Sequence, residues 1–273
     1  MSDSVDLITC HSAVREGFVR PDWESITRHI DENCEETQRG DAWNGVLEAW
    51  LETIIEALGQ RYWLGVSKNF LIVSSEAEHY VENLARFLEH ALCTIIKTLD
   101  GIAAPGRYGK HVVILFDKDK DFFRYISDYY PEEGQFASPA GIFLSRGLGH
   151  FVLPHADIQA AERVVAHELC HACVAHLPIP LWLNEGIAQT MEDVVLRRHP
   201  FTTDEWIMDR HCAFWGEEEI QQFWSGESFQ RPDEGQELSY HLARLAMGAL
   251  SHDYAAFKRF VLSANRKDAG EAA

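Results

Sequence analysis

The strongest constraint on the fold lies in residues 161–192, which read AERVVAHELCHACVAHLPIPLWLNEGIAQTME. The apolar spacing predicts a helix that carries His167 and His171 four residues apart, and two such side chains project from one helix face. Their imidazoles can therefore bind one metal ion together. Glu168 is the next residue round this helix, where its carboxylate can reach a water on that ion without being a ligand itself.

The third ligand is predicted from the residues that follow. Pro178 and Pro180 end the first helix and turn the chain. A second helix then begins at WLNEG, and its early turns can return Glu185 toward His167 and His171. Two imidazoles and one carboxylate leave a fourth position for water, as in catalytic zinc sites. We therefore predict one Zn²⁺ per chain; manganese and cobalt also suit these ligands in vitro, but an open tetrahedral site of this kind favours zinc.

HELCH followed by LWLNEGIAQTME resembles the gluzincin metallopeptidases, and WLNEG with a second acid seven residues after Glu185 is similar to the aminopeptidase N family in particular. The resemblance implies zinc ligands at His167, His171 and Glu185 and a general base at Glu168. It covers about residues 61–264. The strands before the metal helix, ending in GHFVLPH, also resemble the zincin N-terminal subdomain, whose last edge strand pairs with an extended substrate.

Two further residues on the second helix are candidate partners for a ligand histidine. Glu192 occupies the family's downstream acid position and lies two helical turns beyond Glu185. Gln189, one turn from Glu185, is the competing candidate.

The chain departs from the larger members of this group in two respects. Only 13 residues separate His171 from Glu185, fewer than in thermolysin or aminopeptidase N and closer to the compact peptidase MA-like proteins of bacteria. The aminopeptidase signature G-x-M-E-N, which holds the free amino group of a substrate, is absent before His167. These differences imply a minimal catalytic unit and do not support an N-terminal exopeptidase.

A group that stabilises the oxyanion is expected on a later helix. In the aminopeptidase-like branch this group is a tyrosine, and SYHLARLAMGAL offers Tyr240 in a comparable place. His241 is the neighbouring alternative. Tyr240 could instead only pack with Leu238 and Leu242, since many buried tyrosines make purely structural hydrogen bonds.

The order of the patterns predicts an α+β fold. Helices are indicated at 22–36 and 41–58, strands within 61–75, a helix at 76–99, and strands at 111–117, GIFLSRG and GHFVLPH; only helical patterns follow residue 158. We expect a helical lead at 1–60, an α/β subdomain at 61–177 that includes the HExxH helix, and a helical C-terminal subdomain at 178–273. In a zincin-like domain the metal cleft lies between the last two.

Composition limits the partners. There are 24 Lys and Arg against 43 Asp and Glu, a formal net charge of −19, which disfavours nucleic acid and an anionic membrane surface. No run of residues is apolar enough to span a membrane, the N-terminus lacks the pattern of a signal peptide, and six cysteines are too few for a disulfide framework. We expect a cytoplasmic protein acting on a peptide or protein.

The sequence thus predicts a zinc metallopeptidase in which Glu168 activates water. The alternative is a zinc-stabilised interaction domain that keeps the gluzincin fold without catalysis. Glu168 argues against that alternative, because a structural zinc site needs no acid beside an open position. The sequence leaves open the substrate, endo- versus exo-cleavage and the oligomeric state.

Overall fold

Every strand in the described part of the chain precedes residue 158, and only helices follow. The computed structural model describes residues 2–106, 109–129, 141–198 and 203–273. These residues form two compact units, one comprising 1–90 and 106–168 and the other comprising 91–105 and 169–273. The architecture is mixed α+β, as the sequence patterns predicted.

The first unit contains every strand found in the described residues, together with the first six helices found there, two of them only in part. In chain order its elements are α1 (Ser2–Cys10), β1 (Ser12–Arg15), β2 (Phe18–Pro21), α2 (Trp23–Asn33), α3 (Glu36–Leu58), β3 (Trp63–Val66), β4 (Phe70–Ser74), α4 (Glu78–Thr98), β5 (His111–Leu115), α5 (Asp119–Ile126), β6 (Ile142–Leu144), β7 (His150–Leu153) and α6 (Ile158–Val174). Helices α4 and α6 continue past the limits of this unit at residues 90 and 168.

The main sheet has the strand order β3-β4-β5-β7-β6, and β1 and β2 form a separate hairpin. The pairs β4/β5 and β5/β7 are parallel, whereas β3/β4 and β6/β7 are antiparallel. All five residues of β4 and all five of β5 are buried. The centre of the sheet is therefore covered on both faces, which explains the continuous apolar runs of these strands.

A tryptophan-rich core covers one face of the sheet. Trp43 and Trp50 of α3 belong to the same buried cluster as Val112 and Ile114 of β5. The Trp50 Nε1–H also donates to the Val19 carbonyl at 3.2 Å, so the indole joins the hairpin to this core as well as filling it.

The second unit is helical within the described residues. Its further elements are α7 (Leu181–Val195), α8 (Glu205–Phe214), α9 (Glu217–Ser225), a short 3₁₀ helix (Glu227–Gln230), α10 (Glu234–Leu250) and α11 (Tyr254–Ser263). Asp204, Asp233 and Asp253 cap the N-termini of α8, α10 and α11 by accepting hydrogen bonds from backbone N–H groups.

Helices α7 and α10 pack closely because a glycine lies at their contact. A Cβ atom on Gly186 would be 2.8 Å from the Ala243 carbonyl oxygen and 2.6 Å from Met247 Cγ. Asp193 and Arg244 add an ion pair between the same two helices. These contacts fix the position of α7 against α10, and one of them, at Gly186, is directly next to Glu185 in the sequence.

One expectation about the sheet is wrong. The resemblance implied that GHFVLPH forms the edge strand, but β7 lies between β5 and β6, and β6 is the edge strand on this side among the described residues. All four residues of β7 are buried, whereas two of the three in β6 are only half-buried. Along the chain the outer strand β6 comes first, and the turn after it places β7 in the inner position between β6 and β5.

Candidate metal site

Two consecutive helices carry the predicted ligands. Helix α6 places His167 and His171 one turn apart on one face, and α7 places Glu185 in its second turn. One ring nitrogen of each histidine and one carboxylate oxygen of Glu185 all lie within 4.8 Å of one another. The structure therefore brings together the three residues that the sequence predicted as ligands.

The spacing and burial of this donor set fit a zinc ion. His171 Nε2 lies 3.6 Å from Glu185 Oε1. Two ligand atoms about 2.1 Å from a tetrahedral zinc lie about 3.4 Å apart, so this pair needs little adjustment. Glu185 is only 8% exposed, and burial of a carboxylate is costly unless a cation or hydrogen-bond donors compensate it. Two imidazoles and a carboxylate are a common ligand set for catalytic zinc.

Asn184 orients one of the two histidines. Its Oδ1 lies 3.1 Å from His171 Nδ1. Because an amide oxygen can only accept, this contact places the imidazole proton on Nδ1 and leaves the Nε2 lone pair on the side of Glu185. Sequence reasoning missed Asn184, although its position directly before Glu185 in WLNEG was an available signal.

Glu168 lies at the edge of the sheet. The backbone N–H of Phe143, the middle residue of β6, donates to Glu168 Oε2 at 3.1 Å. Phe143 pairs with Phe151 in the β6/β7 register. Since its N–H is directed to Glu168, its backbone groups point away from β7 and toward the outer side of the strand. The predicted base is thus next to an edge strand on which an extended chain could add.

Tyr240 lies on α10, which packs against the ligand-bearing helix α7. Its backbone carbonyl accepts a hydrogen bond from Gln189 Nε2 at 3.0 Å. Its ring packs edge to face against Phe229 at a centroid distance of 5.2 Å and is half-buried. Gln189, a predicted partner of a ligand histidine, therefore links α7 to the backbone of Tyr240 on α10.

His241, the alternative to Tyr240, takes part in a chain of ring contacts. The Trp215 Nε1–H donates to His211 Nδ1 at 2.7 Å, and His211 Nε2 lies 2.7 Å from His241 Nδ1. An indole can only donate, so His211 carries its proton on Nε2 and donates it to His241. Burial lowers the pKa of both histidines, which favours their neutral forms. The proton of neutral His241 is therefore on Nε2.

The two acidic residues at the end of α7 face arginines. Glu192 Oε1 accepts from Arg198 Nη1 at 2.8 Å, and Asp193 pairs with Arg244. The role implied for Glu192 as a partner of a ligand histidine stays a prediction.

Cys170 and Cys173 form the C-x-x-C that overlaps the histidine motif. Both are buried as free thiols. Burial raises the pKa of Cys170 well above its ordinary value and that of Cys173 to about 12. Protonated thiols are poor ligands and nucleophiles, so these side chains are suited to packing.

Comparisons with known proteins do not indicate a function for this chain. No family model matches the chain, and no match is found among curated proteins. Among the described residues, every helix is too short or too polar to cross a membrane.

Proposed function

We propose that this protein is a zinc-dependent hydrolase of the gluzincin type that cleaves peptide bonds. The observation that carries the proposal is the convergence of His167, His171 and Glu185, with Glu168 on the same helix as both histidines. Zinc bound there would polarise a substrate carbonyl and lower the pKa of water to about 7. The free thiols agree with a cytoplasmic location.

Side chains near the metal site would transfer protons, orient a ligand and stabilise the oxyanion. Glu168 would accept a proton from the attacking water on a carboxylate oxygen and later deliver it to the leaving amine. Asn184 would hold His171 in the tautomer that presents Nε2. Tyr240 would donate to the developing oxyanion, with His241 Nε2–H as the alternative donor.

The outer side of β6 is the best candidate for substrate binding. Phe143 presents its backbone to this side, where Glu168 already accepts its N–H. An extended peptide that paired with β6 would lie beside Glu168, and the outward Phe143 carbonyl would accept a sequence-independent hydrogen bond from its backbone. This arrangement favours cleavage within a peptide over recognition of a free N-terminus.

One observation favours the non-catalytic alternative, a zinc-stabilised interaction domain. The hydrogen bond from the Phe143 N–H gives Glu168 a structural task at the sheet edge, independent of any reaction. The Glu168→Gln variant separates the two roles, because glutamine keeps an accepting oxygen but cannot act as a base.

The test combines metal content with peptide cleavage. We expect Glu168→Gln to bind zinc like the parent and to lose activity by at least about 10²-fold. Glu162→Gln, on the same helix, is the matched control and should retain both. Cleavage is followed by mass spectrometry on a broad peptide library. A fully active Glu168→Gln variant, or a zinc-loaded parent that cleaves no peptide, would exclude the peptidase mechanism.

A further inference from the structure

Three arginines from separate segments of the first unit line one cavity. Arg15 lies on β1, Arg20 on β2 and Arg146 in the loop between β6 and β7, and the cavity has a volume of about 710 Å³. In the hairpin register Ala13 pairs with Arg20 and Arg15 with Phe18, so both hairpin arginines belong to one face. The hairpin thus presents two guanidinium groups to the same space.

All three arginines contact Asp128, two of them through its carboxylate. Arg15 Nη1 lies 3.2 Å from Asp128 Oδ1, and Arg20 Nε lies 3.6 Å from Asp128 Oδ2. Arg146 Nη1 is 3.5 Å from the backbone carbonyl of Asp128. Among the described residues of the wall, Asp128 is thus the acidic residue that contacts this arginine cluster, in a chain whose net charge is −19.

In the described part of the cavity wall, Asp22 and Glu24 are the other acidic residues, and their contacts lie outside the arginine cluster. The Asp22 carboxylate accepts from the backbone and hydroxyl of Ser25, and these hydrogen bonds lower its pKa. Glu24 forms an ion pair with Arg28 on the surface of α2. Ser25 is neutral, so Asp22 keeps its negative charge, but within the described residues neither acid forms an ion pair with Arg15, Arg20 or Arg146.

Arg20 is held in a fixed position. It is 9% exposed, its Nη2 donates to the Tyr125 carbonyl at 2.6 Å, and its guanidinium carbon lies 4.1 Å from the centre of the Tyr125 ring. Within the described residues, the buried Ser12 Oγ has no hydrogen-bond partner, and the buried Arg20 Nε has only the Asp128 carboxylate at 3.6 Å. Buried donors generally require an acceptor, and both residues line this cavity.

We infer that this cavity binds the oxyanion group, phosphate or carboxylate, of a small organic anion. Guanidinium groups present parallel N–H donors that match such oxygens, and a preorganised, partly buried arginine strengthens the contact. The inference depends on Arg15, Arg20, Arg146 and Ser12, and it does not require the proposed peptidase function.

The experiment measures binding of inorganic phosphate and of citrate to the full chain by calorimetry, against chloride at equal ionic strength. Added 1,10-phenanthroline removes zinc, so that neither probe can bind through a metal. We expect saturable binding of at least one probe. Binding of phosphate alone would assign a phosphoryl group, and binding of citrate alone would assign a carboxylate.

The double variant Arg15→Ala/Arg146→Ala should lose at least about tenfold in affinity. Arg61→Ala is the matched control, because Arg61 is also exposed and lies 3.3 Å from an aspartate, Asp117, outside the cavity. Circular dichroism checks folding, and the single Arg146→Ala variant replaces the double variant if that one unfolds. Absence of saturable binding, or equal binding by the arginine variants, would overturn the inference.

Discussion

At the scale of single residues, Asn184 determines which nitrogen of His171 faces Glu185. The Oδ1 to Nδ1 contact of 3.1 Å orients the His171 ring. Side chains of this kind often change metal affinity by about 10- to 100-fold although they do not touch the ion.

We therefore expect Asn184→Ala to weaken zinc binding by about 10- to 100-fold, measured by competition with a chromophoric chelator. Asn184→Asp keeps an accepting oxygen and should retain most of the affinity. Equal zinc affinity in the parent and the alanine variant would show that Asn184 does not orient His171.

Burial also controls a histidine far from the ligands in the sequence. His111 is stacked on Phe70, and burial lowers its pKa from 6.5 to about 4. In the unfolded chain His111 therefore binds a proton near pH 6.5, whereas in the folded chain it binds one only near pH 4. Stability from this residue is complete above pH 6.5 and is lost as the pH falls toward 4.

This effect amounts to about 3 kcal/mol between pH 7 and pH 4. The free energy of unfolding should fall between pH 7 and pH 4 in both proteins. In the His111→Leu variant we expect this fall to be smaller than in the parent by about 3 kcal/mol. Urea denaturation at a series of pH values, with a chelator present, measures the difference. Parallel pH profiles for the two proteins would contradict the assignment.

At the scale of elements, the contact between α7 and α10 depends on Gly186. An added methyl group there would meet the Ala243 carbonyl and Met247 at distances that require the helices to move apart. We expect Gly186→Ala to lower the free energy of unfolding by about 1–3 kcal/mol, since overpacking outweighs the gain in helix propensity.

Gly248→Ala is the matched control on α10, because a Cβ at that position meets no atom within 4 Å. Its expected effect is a stabilisation of about 0.5–1 kcal/mol from helix propensity alone. Urea denaturation of both variants gives the comparison. A stable Gly186→Ala protein would mean that the two helices are not closely packed at this position.

Most helices could be predicted because their signals are local. The periodic segment 41–58 and the histidine helix were found from spacing, with ends displaced by a few residues. The β1–β2 hairpin was missed, since its strands have four residues each and its turn depends on positive φ angles at Glu16 and Gly17. Strand order was not readable either, because the inner position of β7 depends on pairing with the distant strand β5.

The candidate site was more accessible to sequence reasoning than the sheet was. A four-residue helical spacing determines how His167 and His171 meet, and a short turn returns Glu185 to them. Contacts that other helices and strands make with the site residues could not be predicted from any sequence motif. The Phe143 N–H that reaches Glu168 is an example, since it depends on which strand forms the edge.

At the scale of the whole molecule, the net charge of −19 should influence which peptides the proposed peptidase prefers. An acidic surface attracts basic substrates, and salt screens the attraction. We expect N-terminally blocked peptides to be cleaved internally, with a higher kcat/KM for a lysine-containing peptide than for its glutamate counterpart at low salt.

Mass spectrometry identifies the products, and the lysine preference should shrink between about 0.01 M and 1 M salt. Matched peptides that differ only at the charged position serve as the control. Release of single N-terminal residues from free peptides, with blocked peptides untouched, would instead indicate an exopeptidase.

The most direct test of the proposed zinc site is an anomalous difference map at the zinc absorption edge from crystals of the zinc-loaded protein. We expect one strong peak per chain, about 2.1 Å from a ring nitrogen of His167, a ring nitrogen of His171 and a carboxylate oxygen of Glu185. Loss of the peak below the edge would identify the metal. A zinc peak elsewhere, or none at these three residues at full zinc loading, would contradict the proposed metal centre.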